Sequence, residues 1–291
     1  MLITLLTIIS IFVNLSYVKY FQKRRIILKK KHSLLLGISF SMGIFIFGQG
    51  NASAAENVKI KEDVYQEAVN ANLLETSNGK VKVKDKKAVE KLSDNTEEYK
   101  DFQETVDSIN HLVDENVATI NKEFDMQLLS PEEVQETAHK SQSNQLNNQF
   151  STLAVDPGIE SLNLKGLVES NRKQLEKFHD SLLKTAPNSA YNTTVGYFVG
   201  KVQEGGPWDY KVKTGYKPWY KEFNASTYDG KKVITSEYIG NYNYAYTGEF
   251  LFSKKTLLIG GGAVGTGVGQ PEDAKDRNTI TKGFNDAVKY W

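Results

Sequence analysis

The sequence predicts an α+β protein, with an acidic helical N-terminal module followed by a compact, aromatic- and Gly-rich α+β C-terminal domain. Three observations lead there. Apolar residues recur at steps of three and four through 57–137, the spacing of one helix face. A polar stretch without periodicity then interrupts the pattern. After it the texture changes: all three Trp, eleven of the fifteen Tyr and fifteen of the 22 Gly lie in 187–291, in β-branched and aromatic runs bounded by turn residues.

Taken in order, the chain opens with an apolar run to Val18, then a basic run of Lys19, Lys23, Arg24, Arg25, Lys29, Lys30 and Lys31. A second apolar run, Leu34 to Phe47, is 14 residues long and is followed by Ala52-Ser53-Ala54. A basic region, a short apolar core and small residues before a cut describe a secretory signal peptide over 1–54, with 1–18 as an extra upstream apolar segment. A membrane span takes about 20 apolar residues, so the run is short for a permanent anchor. An uncleaved signal would instead tether the protein to the membrane. The expected product is secreted, free or associated with the cell wall.

Residues 56–138 read as an acidic helical region. Phe102, Val106, Ile109, Leu112, Val113, Val117, Ile120 and Phe124 share one face in coiled-coil-like steps, with Asp101, Glu104, Asp107, Asp114, Glu115 and Lys122 opposite. Asn78-Gly79 marks a turn; the alternation from Lys80 to Lys87 is too brief to name a strand. Ser130-Pro131-Glu132-Glu133 starts a further helix, with Ser as N-cap and Pro at the first helical position. Residues 139–156 form a Gln/Asn/Ser-rich linker.

The domain at 157–291 begins with a turn at Asp156-Pro157-Gly158 and a helix whose Leu164, Leu167, Val168, Leu175, Phe178 and Leu182 share a face. Tyr191 to Phe198 and Lys232 to Thr235 read as strands. Leu257 to Ile259 fits strand or helix. A last helix spans Asp276 to Lys289, with Ile280, Phe284 and Val288 inward.

Charge is segregated. Residues 1–55 carry seven basic and no acidic groups, 56–156 carry 11 Lys against 21 Asp and Glu, and 157–291 carry 18 basic against 14 acidic groups. The chain from 56 is therefore net acidic, which argues against nucleic-acid binding by the whole. The absence of Cys removes disulfides, thiolate nucleophiles and cysteine metal sites together. Lys outnumbers Arg 32 to 4, a bias that suits a Gram-positive source with an AT-rich genome. No cofactor and no metal site is expected: Gly260 to Gly265 fits G-x-G-x-x-G, but the Gly267, Gly269 and Pro271 that follow leave no room for a long helix.

Candidate chemistry lies in three segments. In the first, Asp209 stands between Trp208 and Tyr210 with Lys211 next; a carboxylate between large aromatics is partly desolvated and suited to proton transfer. In the second, Tyr242, Tyr244 and Tyr246 alternate with Asn241, Asn243 and Ala245, so on a strand the phenols form one stacking face; Glu249 follows as a further acid. In the third, Asp273 and Asp276 flank the last helix, as N-cap or as an acid. The candidate catalytic residues are Asp209, Glu249 and Asp276. Trp208, Tyr210, Lys211, Asn241, Tyr242 and Tyr244 are the candidate substrate-binding residues. His111, His139 and His179 read as surface or core-edge residues.

The segments Gly205-Gly206-Pro207-Trp208-Asp209-Tyr210-Lys211, Gly240 to Gly248 and Pro271 to Arg277 together resemble the bacterial toxin 44 domain (polymorphic toxin type 44) over roughly 160–291. The second segment departs from the family pattern, with Ala245 and Tyr246 where a small Gly-Ala pair is usual. The resemblance implies an antibacterial effector toxin, with a cognate immunity protein as partner. Export to where the wall lies, and a domain with carboxylates but no His beyond 179, make hydrolysis of peptidoglycan the first expectation: glycoside cleavage needs two carboxylates and nothing else. An RNase toxin and a non-enzymatic wall-binding protein are the alternatives.

Overall fold

The computed structural model describes residues 56–141, 158–266 and 274–291. These belong to one compact unit, 42–291. The signal peptide with its Ala52–Ala54 site, nearly all of the linker, and Asp273 lie outside the described residues. The fold is a mixed α+β one, with several small sheets among longer helices.

The N-terminal part runs β1 (Glu56–Val58), α1 (Asp63–Asn70), β2 (Leu74–Ser77), β3 (Lys80–Val83), α2 (Lys86–Glu90), α3 (Thr96–Asp114), β4 (Ala118–Ile120), β5 (Met126–Leu128) and α4 (Pro131–Lys140). Strands β1, β5 and β4 form an antiparallel sheet in that order, and β2–β3 is a hairpin. The hairpin turn is Asn78-Gly79, both at positive φ, the pairing that matches strand twist. The strand at 80–83, too short to be named from sequence, is held by that turn and by Asn110, whose side chain bonds both backbone groups of Val81. Helix α3 buries Phe102, Val106, Ile109 and Leu112 as its spacing predicts. The predicted face does not continue to Phe124. Asn116 takes φ 59°, a left-handed conformation Asn tolerates, and the chain turns into β4. Helix α4 carries the full capping box between Ser130 and Glu133.

The remainder runs β6 (Glu160–Asn163), α5 (Leu164–Thr185), α6 (Ala190–Val202), a long irregular segment, β7 (Glu222–Thr227), β8 (Gly230–Thr235), α7 (Ser236–Gly248), α8 (Lys254–Thr266) and α9 (Ala274–Tyr290). Strand β6 pairs parallel to β7, and β7 antiparallel to β8. All six apolar residues predicted for α5 are buried.

Two sequence expectations change, and one open reading is settled. Residues 191–198 are helical, within α6. Its Gly196 and Gly200 lie against the backbone of α4: a Cβ at these positions would come 2.3 Å from the Pro131 carbonyl oxygen and 2.2 Å from that of Gln135. Close helix packing outweighs the β preference of Thr and Val. Residues 257–259 are helical too, in α8. Val288 is 57% exposed, so the inner face of α9 is Ile280, Gly283 and Ala287, with Gly283 against the Tyr242 carbonyl.

Candidate functional site

The Gly205–Lys211 loop folds on its own backbone. Trp208 N–H donates to Lys201 O at 2.8 Å and Asp209 N–H to Gly206 O at 2.9 Å. Gly205 takes φ 75°, which a side chain would strain. Trp208 and Tyr210 are buried, so both belong to the core and offer no surface to a polymer. The Tyr210 hydroxyl accepts from Asn171 at 2.8 Å, and its ring meets Tyr216 edge-on. Asp209 is also buried. Its two oxygens accept from the backbone N–H of Gly205 at 3.0 Å and of Lys211 at 3.2 Å, bracing the loop in the manner of a cap. Lys213 donates to Pro207 O at 2.7 Å; burial, with the nearby charge of Lys201, pushes its amine down to about 8.

Residues 241–246 lie in α7, a helix and not the strand their alternation predicts. Thr235 caps it by accepting from Tyr238 N–H. Positions two apart then point to different sides. Tyr242 and Tyr246 join Tyr238 in a stack at i, i+4, with ring centroids 5.7 and 6.1 Å apart. Tyr228 and Tyr290 continue the row. Tyr242 is buried and donates to Asp286 at 2.6 Å. Tyr244 turns the other way, onto α8, donating to Leu257 O and closing on Gly260. Neither Tyr242 nor Tyr244 shares an open stacking face with the other.

Glu249 sits past the far end of α7, 3.0 Å from the guanidinium of Arg172. Arg172 is 1% exposed and also donates to Glu176 and to the carbonyls of Tyr246 and Thr247. The Asp209 loop meets α7 at Gly240. Glu249 is nine residues further along the chain and is engaged by Arg172, while the Asp209 carboxylate is engaged by the backbone of its own loop.

Asn241 and Asp276 do come together, from the second and third segments, and Lys211 of the first lies against α7 one residue before Asn241. The Lys211 side chain lies along Gly240, where a Cβ would be 3.7 Å from it. Asn241 donates to Asp276 at 2.6 Å. One turn earlier in α7, Glu237 pairs with Lys275 at 2.7 Å. Glu237 and Asp276 therefore hang between the first turns of α7 and α9.

A cleft of about 640 Å³ opens beside them. It shares Lys275, and its wall carries Trp219 and Tyr220, 53% and 61% exposed. Glu237 N–H donates to Trp219 O at 2.8 Å, tying the aromatic corner to the first turn of α7. The charges lining the cleft balance: Glu160 and Glu222 against Lys221 and Lys275, with Lys221 2.7 Å from Glu160.

Sequence reasoning missed Trp219, Tyr220, Glu237 and Lys275. Two signals for them were present: adjacent aromatics in Lys217-Pro218-Trp219-Tyr220 outside any apolar pattern, and an acid four residues before Asn241. Among the described residues, no three His, Asp or Glu are grouped to hold a metal, and no helix is long and apolar enough to cross a membrane. Compared with known proteins, the chain matches no family model, no curated protein and no solved structure.

Proposed function

We propose that the protein is a secreted, toxin-type effector that hydrolyses a glycan polymer of the bacterial wall, with peptidoglycan as its substrate. In this reading an acidic leader module, 56–138, precedes a working domain of the toxin 44 kind, 157–291, and an immunity protein protects the producer. The observation that carries the proposal is the cleft. Two exposed aromatic rings give a stacking surface for sugar rings, and the balanced charges lack the Lys/Arg excess that a phosphate polymer needs. Two carboxylates adjoin the lining residue Lys275: Asp276 follows it in the chain and Glu237 pairs with it, and glycoside cleavage uses two such groups. Glu237 and Asp276 supply the acid and the base or nucleophile, Asn241 orients Asp276, and Trp219 and Tyr220 hold the strand.

The test is to assay Glu237→Gln and Asp276→Asn on purified walls and on RNA. Each variant is expected to release wall fragments about 10²-fold more slowly, the usual worth of a general acid or base, with an unchanged melting midpoint. Trp219→Ala should weaken wall binding. Cleavage of RNA with walls left intact would overturn the reading in favour of a nuclease. Wall binding without any cleavage by the unaltered protein would favour a binding protein.

A further inference from the structure

The contacts between α4 and the rest of the chain reach further than a leader requires. Gly196 and Gly200 are four residues apart on α6, so they form one smooth strip along the helix. Into it fit the carbonyls of Pro131 and Gln135, also four apart; a Cβ at Gly200 would in addition meet Ala138 Cβ at 2.9 Å. This is backbone-on-backbone packing, which any larger residue on α6 would forbid. Val134 and Ala138 of α4 are buried.

The same helix reaches the residues that lead into the Gly205–Lys211 loop. Gln135 Nε2 donates to Gln203 Oε1 at 2.9 Å, and His139 Nε2 donates to the Glu204 carbonyl at 3.0 Å. Lys201, itself buried, donates to Ser141 Oγ at 2.7 Å, and the Lys201 carbonyl is the one that receives Trp208 N–H. A second contact lies on α3 and its end: Lys184 pairs with Asp101 and Glu104, and the Tyr197 hydroxyl donates to Glu115 at 2.9 Å. Net charge is complementary across the contact, acidic on 56–156 and basic on 157–291.

We propose that residues 56–141 are a permanent docking partner of the C-terminal part. They seat on the glycine strip of α6, set the Gly205–Lys211 loop, and remain bound when the connecting chain is cut. The inference is independent of what the cleft cleaves.

The experiment uses the full chain with a site-specific protease sequence inserted after Ser143, cut in the folded state and passed over a sizing column. One species containing both pieces is expected, eluting with the uncut protein. Separate elution of two folded pieces would overturn docking. Gly200→Leu, cut in the same way, should release the pieces; co-elution of that variant would show that the glycine strip is not the seat. For the loop, the uncut Gln135→Ala, His139→Ala double variant keeps the strip and should stay folded. Its Trp208 and Asp209 amides should exchange hydrogen about tenfold faster, with the β2–β3 hairpin unchanged. Unaltered exchange at both amides would overturn the positioning role.

Discussion

Asp209 illustrates how a residue can satisfy a sequence pattern for one reason while the fold uses it for another. Between Trp208 and Tyr210 it has the surroundings of a tuned acid. Yet both rings are buried and both carboxylate oxygens are taken by backbone N–H groups of the same loop. Hydrogen bonds to a charged acceptor contribute about 1.5–3 kcal/mol. Asp209→Asn keeps one accepting oxygen and turns the other into a donor facing a donor. It should therefore lose about 1–3 kcal/mol of stability and keep near-normal cleavage per folded molecule. A denaturant titration beside a cleavage assay checks this; full stability with lost cleavage would return Asp209 to the catalytic set. The distinction was not legible in sequence, because local composition reports desolvation but not which oxygen meets which amide.

At the scale of elements, helices with a one-sided apolar face were readable and those buried all round were not. The face of α5 and the Ser130 N-cap of α4 stand as their residues predict. Helices α6 and α7 defeat the pattern, because they pack on several neighbours and carry Thr, Tyr and Gly where a surface helix carries charge. In α7 the period was misread as two, and the four-residue step from Tyr238 to Tyr242 to Tyr246 was the usable signal. The candidate site was legible in part: Asn241 and Asp276 meet, while Glu237 and the Trp219–Tyr220 corner depend on a chain path no local pattern encodes. Arg172 of α5 shows what secures the far end of α7. It neutralises Glu249 and satisfies two terminal carbonyls, the groups a helix end leaves without partners. Arg172→Met should cost about 3–5 kcal/mol by removing the cation that pairs with a buried carboxylate. Adding Glu249→Leu should recover only part of that, since the Tyr246 carbonyl still loses the guanidinium donor. Urea melts of the single and double variants measure both steps; full recovery would mean the carbonyl contacts contribute nothing.

At the scale of the whole molecule, acid should destabilise the protein through the buried His179. His179 is 3% exposed and packs against the edge of Phe250, with Nδ1 2.9 Å from Thr194 Oγ1. Burial pushes its pKa down to about 4, against a weaker opposing effect of the Ala190 backbone. In the unfolded chain it takes a proton near 6.5. Between those values the unfolded state binds more protons, so stability falls as pH drops from about 6.5 toward 4, by about 3 kcal/mol in total. His179→Gln should flatten that limb. Unfolding curves at neutral pH and near pH 4.5 decide it, and an equal acid loss in the variant would place the sensitive group elsewhere.

The row of tyrosines has an optical consequence. Tyr290, Tyr228, Tyr246, Tyr242 and Tyr238 follow one another at centroid spacings of 4.3, 6.0, 6.1 and 5.7 Å, with neighbouring rings close to parallel. They come from α9, the β7–β8 turn and α7, so the row exists only when those pieces are assembled. Phenols at such spacing share an absorbed photon among themselves, and their transition dipoles couple into a circular dichroism band that isolated tyrosines lack. The near-ultraviolet spectrum is thus a built-in gauge of whether the hairpin and the last helix are seated on α7.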